Sequence, residues 1–201
     1  MSDIRTPAGS VRPGGPFAEG DALLVCDLQC DFCPGGSLEV PGAEEIIPIL
    51  NRWIEVASRF GVPIVASRDW HPHDHGSFTA EGGPWPPHAV RDTQGARFHP
   101  QLALPANVMV IDKGTDRSRD SVSAFSGTGL RGRLRDHGVR RLWIGGLALD
   151  ACVHSTVLDA LDNGFQVNVL TSATRARDHR QTKRRLDEMR SLGAKLVEGG
   201  P

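Results

Sequence analysis

Apolar residues along this chain follow two alternating rhythms from residue 22 onward. Short continuous runs, "ALLVCD" (22–27), "VPIVASRD" (62–69), "VMVIDKG" (108–114), "RRLWIGGLA" (140–148), "FQVNVLTSA" (165–173) and "KLVE" (195–198), read as strands. Between them lie stretches in which apolar residues recur at three- and four-residue spacing. "EEIIPILNRWIEVASRF" (44–60) is a helix that stops at Gly61, with Pro48 in its first turn, where proline is tolerated. "TGLRGRLRDHG" (128–138), "CVHSTVLDALDNG" (152–164) and a polar segment (178–192) are further helices. Strands alternating with helices predict an α/β fold: one three-layer α/β/α domain over residues 21–201, with a mainly parallel sheet. Residues 70 to about 106 have no periodicity, and a loop that long inside a compact domain usually carries function. Residues 1–20 are rich in Gly and Pro and are expected to form a flexible arm. They contain no apolar segment of the kind that directs secretion.

Composition narrows the function classes. Lys+Arg is 23 and Asp+Glu is 24 over 201 residues, so no basic surface for nucleic acid is expected. No window reaches the roughly 18 consecutive apolar residues that a membrane span needs. The four cysteines are too unevenly placed for a disulfide framework, and a cytoplasmic protein is the simplest reading. Tyrosine is absent, which excludes a Tyr proton donor. Lys113, Lys183 and Lys195 are the only lysines in a chain otherwise served by arginine.

In a parallel sheet of this type ligands bind beyond the carboxyl ends of the strands. Asp27 ends the first predicted strand, Asp69 and His71 the second and Lys113 the third, while Cys152 follows the fourth. Taken singly, each has a plainer explanation. An Asp there is a turn or cap residue, a Lys is solvated, and a small Cys packs a helix against a sheet. Together they would meet on one rim. At the start of a helix Cys152 would find exposed amides and a positive dipole end, which stabilise a thiolate and can bind an oxyanion. A compact Lys113 ammonium fits beside a thiolate and a carboxylate where a guanidinium fork would not. "DWHPHDH" and "WPPH" add Asp69, His71, His73, His75 and His88, a set of N/O ligands suited to zinc, iron or manganese or else simply a polar loop.

The motifs "CDLQCDFCPGGSL", "RDWHPHDHGSF", "WPPH", "DKG", "DSVSAF" and "GGLALDACV" occur in the order found in nicotinamidases, also called pyrazinamidases, of the isochorismatase-like cysteine hydrolases. The chain resembles that family from about residue 22 to 195. The resemblance implies a metal-assisted cysteine amidohydrolase that converts nicotinamide or a similar aromatic amide to the acid and ammonia through a thioester, in NAD salvage. It implies Asp27, Lys113 and Cys152 as catalytic residues, and the amides of Ala148 and Cys152 as an oxyanion hole. Phe32 and Trp85 would flank the substrate ring. Asp69, His71 and His88 would hold one divalent ion, zinc first, with His75 beside them. A cis peptide is expected before Ala148. The expected partner is a small-molecule amide, with no nucleic acid and no membrane, and self-association is allowed. Asp27, with Phe32 behind it, is then the chemistry in "CDLQCDFC". Cys26 is expected to face the core, and Cys30 stands where the family often has Asn. A C-x-x-C with no second Cys/His pair nearby is poor support for zinc.

Four positions depart from the family. Val122 replaces a common Tyr, Leu149 and Ala151 stand where Thr and Tyr or His are usual, and Ala89 stands where Cys is usual. Two readings therefore compete with the first. One is a related hydrolase of carbamoyl or ureido amides, against which the metal loop speaks. The other is a non-catalytic metal-binding or redox module, which would leave the Asp27/Lys113/Cys152 set without a purpose.

Overall fold

A computed structural model of the chain describes residues 15–118 and 121–201. Six strands form one sheet: β1 (Asp21–Cys26), β2 (Ile64–Asp69), β3 (Met109–Lys113), β4 (Arg141–Leu147), β5 (Gln166–Arg175) and β6 (Lys195–Val197). Their order is β3-β2-β1-β4-β5-β6, and every pairing is parallel. The helices are α1 (Ile47–Phe60), α2 (Leu130–Asp136), α3 (His154–Asp162) and α4 (Thr182–Ser191). No helix among the described residues is long and apolar enough to cross a membrane.

The six residues of β1 are all buried, which explains its continuous apolar run. Alternate residues serve opposite faces. Leu23 and Val25 pack with Leu50, Trp53 and Ala57 of α1. Ala22, Leu24 and Cys26 pack with Leu134 of α2, Val157 of α3 and Met189 of α4. These are the outer layers predicted from sequence. The β2–β3 connection has no α-helix, and its Ala89, Ala96 and Leu102 instead complete the apolar layer around α1.

The N-terminal boundary differs from the expectation. Residues 1–14 of the expected 1–20 arm lie outside those described. Phe17, counted with the arm, is buried with its ring 5.8 Å from Trp53 and 5.3 Å from Trp143. Burying an aromatic ring against two others recruits the end of the arm into the domain.

The strand order reverses direction between β1 and β4. A crevice opens there at the carboxyl ends, because the loops leaving β1 and β4 turn to opposite sides of the sheet.

Candidate active site

A cleft of about 120 Å³ lies at this crevice, lined by Asp27, Asp69, His71, His88, Lys113 and Cys152 among others. Asp27 leaves β1 with φ 45°, a left-handed conformation that Asp tolerates because its short side chain can hydrogen-bond locally. Its Oδ1 accepts a 2.7 Å hydrogen bond from Ser67 Oγ. Its Oδ2 lies 3.0 Å from Lys113 Nζ. Asp69 and Lys113 are register partners on β2 and β3, and the ammonium also contacts Asp69 Oδ1 closely. Lys113 Nζ is 3.5 Å from Cys152 Sγ.

The charges settle in an ordered way. Burial pulls the Lys113 ammonium down, but Asp27, Asp69 and Cys152 outweigh it and hold its pKa well above the ordinary value. Burial pushes the Asp69 carboxyl up, yet Lys113 and His71 overcome this and keep it below the usual range. For Asp27 burial wins over Lys113, helped by Asp69, and the pKa rises. Burial, with the charges of Asp27 and Asp69, pushes the Cys152 thiol well above its ordinary value although Lys113 opposes them. The resting sulfur is therefore a thiol. The helix start favours a thiolate, but the two carboxylates and the desolvation of a half-buried sulfur act against it.

Cys152 also does not open the α-helix directly. It lies in a π-helical turn, Leu149–Val153, that runs into α3. The amides of Ala151 and Val153 both donate to the Ala148 carbonyl at 3.0 Å. The Leu147–Ala148 peptide is cis. Asp150 accepts from the amides of Arg177 at 2.9 Å and Asp178 at 3.0 Å, which fastens this turn to the chain leaving β5.

Ligand atoms of Asp69, His71 and His88, all buried, lie within 4.8 Å of one another. His71 Nδ1 hydrogen-bonds the Gly114 carbonyl at 2.9 Å, and His88 Nδ1 the Pro86 carbonyl at 2.8 Å. A carbonyl only accepts, so each Nδ1 carries the proton and each Nε2 keeps its lone pair for a cation. Burial lowers the pKa of His71 to about 4, which keeps it neutral. One carboxylate and two imidazoles, turned together and held from behind, fit a zinc-type ion. Gly114, at φ +62°, is required, since a Cβ there would lie 2.3 Å from His71 Cε1. His75 is outside this cluster. Its ring stacks on His71 with centroids 4.1 Å apart, and its Nδ1 is 2.7 Å from Ser77 Oγ.

Phe32 and Trp85 both line the cleft, as do Val122 and Ala151. Leu149 does not, being buried in the core on the α3 side. Of the "DSVSAF" motif, Asp120 lies outside the described residues. Cys26, Cys30 and Cys33 are free thiols. Burial raises the pKa of all three, that of Cys33 to about 12, so none ionises readily.

Several contributors escaped the sequence reading. Gln29 grips the Asp69 peptide from both sides: Oε1 accepts from its N–H at 2.8 Å and Nε2 donates to its carbonyl at 2.8 Å. Asp31 accepts from Ala89 N at 2.7 Å, tying the Phe32 turn to the His88 loop. Ser67 had a faint signal, two positions before Asp69 and hence on the same side of β2. Arg177 had none among so many arginines.

The chain is similar to known proteins. The isochorismatase domain family model matches residues 21–199. The nicotinamidase of Escherichia coli strain K12 is 41% identical over 175 residues, 77% of this chain and 82% of that protein. The pyrazinamidase of Pyrococcus horikoshii, solved in complex with zinc, has a TM-score of 0.87 and 44% identity, covering 90% of this chain and 99% of that one. PnC1 from L. infantum, solved in complex with nicotinate, has a TM-score of 0.81 and 39% identity, covering 90% of this chain and 93% of that one.

Proposed function

The chain belongs to the isochorismatase domain family, and we propose that it is a nicotinamidase-type amidohydrolase, converting nicotinamide to nicotinate and ammonia. One observation carries the reading: a half-buried thiol meets a buried carboxylate and ammonium in a cleft that also brings together Asp69, His71 and His88, a set able to hold a metal ion. The relatives supply the substrate, through a nicotinamidase, a pyrazinamidase with zinc and a structure with nicotinate.

In this reading Asp27 takes the thiol proton of Cys152 as the sulfur attacks the carboxamide carbon. A C–S bond forms, and the carbonyl oxygen becomes an oxyanion between the amides of Ala148 and Cys152. Asp27 passes the proton to the carboxamide nitrogen, the C–N bond breaks and ammonia leaves a thioester. Asp27 then accepts a proton from the water that attacks the thioester. The C–S bond breaks, the acid forms and the sulfur recovers its proton. Lys113 stays an ammonium throughout and balances the negative charge that moves between carboxylate and sulfur. Phe32 and Trp85 hold the faces of the ring. A zinc ion on Asp69, His71 and His88 would supply a Lewis acid for the ring nitrogen, with iron or manganese the other candidates.

The working unit in this proposal is the one domain from Phe17 to the C-terminus, acting in the cytoplasm on a free small amide and returning nicotinamide to NAD synthesis. Ammonia release from nicotinamide, pyrazinamide and a set of ureido amides tests it. Release is expected from the first two. Release confined to ureido amides would move the assignment to the carbamoyl-acting relatives, and no release from any of them would leave a non-catalytic module.

A further inference from the structure

The reaction above does not use one charged group of the cleft. Arg177 follows β5, is half-buried, and lines the cleft together with Trp85, Val122 and Ala151. Its guanidinium carbon lies 4.1 Å from the centroid of the Trp85 ring. Its backbone amide donates to Asp150, two residues before Cys152, so the segment that carries this cation is fixed relative to the sulfur.

Neighbouring arginines are committed elsewhere. Arg175 bonds Glu45 and the carbonyls of Ser172 and Thr174, and Arg180 pairs with Asp178. Among the described residues no carboxylate pairs with Arg177. A guanidinium stacked on an aromatic face keeps its edge N–H groups available, and their fork matches a carboxylate. The wall beside it carries only the small side chains of Val122 and Ala151.

Resting on the amidohydrolase reading, we propose that Arg177 determines specificity for pyridine carboxamides that carry a carboxylate on the ring edge remote from the reacting carboxamide. Such a substrate would present its reacting carboxamide to Cys152 and its ring faces to Phe32 and Trp85. Its second, anionic group would reach the Arg177 fork beside Val122 and Ala151. A neutral substituent of the same shape would leave that cation without its partner. The acid product's new carboxylate, by contrast, forms at Cys152, facing Asp27 and Asp69.

A matched pair separates charge from shape: 5-carbamoylpyridine-3-carboxylate, which is anionic, and pyridine-3,5-dicarboxamide, which is neutral. With the metal-loaded protein, kcat/KM from initial ammonia release should favour the anion by about tenfold or more, the scale of a charge-assisted hydrogen bond. The ratio should fall to about one in Arg177→Gln, be partly kept in Arg177→Lys, and shrink as salt is raised. A ratio at or below one in the unaltered protein, or one unchanged in Arg177→Gln, overturns the proposal. Nicotinamide turnover by the same preparation tests the amidohydrolase reading separately. Should that turnover be absent, calorimetric affinities of the two compounds for the unaltered and Arg177→Gln proteins read the same charge preference without any reaction.

Discussion

Ser67 donates its hydroxyl to Asp27 Oδ1 at 2.7 Å, and so decides which oxygen of that carboxylate remains for chemistry. The other, Oδ2, is buried and 3.0 Å from the Lys113 ammonium, and the carboxylate lies within 4.8 Å of the Cys152 sulfur. Cys152→Ala should fold with an unchanged circular dichroism spectrum and lose at least about 10⁴-fold in turnover, the scale for removing a nucleophile. Asp27→Asn should be comparably inactive, because an amide cannot accept the thiol proton. The same variant should react faster with iodoacetamide than the unaltered protein at one fixed pH. Removing a negative charge that raises the thiol pKa increases the thiolate fraction. Slower alkylation together with full turnover would remove Asp27 from the proposed role.

Purified protein should carry about one divalent ion per chain, as expected of a single three-residue site. His71→Ala should lose it. Gly114→Ala should weaken binding by about 10–100-fold, the usual cost of disturbing a ligand's support, because its Cβ would displace the His71 ring. Metal analysis after dialysis reads both variants, and full occupancy in His71→Ala would rule out the three-residue set.

Ala151 and Val122 put only small side chains on the cleft wall. Ala151→Tyr should exclude bulky ring-substituted nicotinamides while sparing nicotinamide itself relative to them. The quantity to compare is kcat/KM for nicotinamide over that for a ring-substituted analogue, in both proteins. A ratio that does not move would mean that residue 151 does not limit substrate size.

His154 gives a pH dependence unconnected with turnover. It is buried at the start of α3, with Nε2 3.1 Å from Glu188 of α4. Burial, reinforced by Arg185, holds its pKa below the usual value despite Glu188. The unfolded chain therefore takes up this proton first as pH falls through about 6.5. The stabilisation is present above that pH and is lost below it. Between about pH 7 and pH 5 the melting temperature of the unaltered protein should fall more than that of His154→Gln, measured at equal metal content. Parallel curves would contradict this assignment.

The strands and helices were legible in the sequence because apolar periodicity records which faces are buried. The all-buried β1 and the two-sided packing of Leu23 and Leu24 are the physical content of one apolar run. Asp27, Asp69, Lys113 and Cys152 could be placed on one rim because a parallel sheet puts the carboxyl end of every strand on the same side. Periodicity says nothing of a π-helical turn, which is why the helix at Cys152 was expected to be regular. The resting charge state of the sulfur depends on two carboxylates brought in from β1 and β2, and no local signal encodes it. Gln29 and Arg177 act through contacts spanning 40 residues and 92 residues respectively, between Gln29 and Asp69 and between Trp85 and Arg177. A single sequence gives no hint of either.

Strand order also divides the cleft into two parts that can come apart separately. Asp27, Asp69, His71 and Lys113 belong to the continuous block β1-β2-β3, while Ala148 and Cys152 arrive with β4 on the other flank of β1. Loosening the β1–β4 seam would carry away the sulfur and the amides around it, yet leave the cation ligands in place. Mild denaturant should therefore abolish ammonia release at a concentration where bound metal is still retained, with the two losses forming separate transitions rather than one.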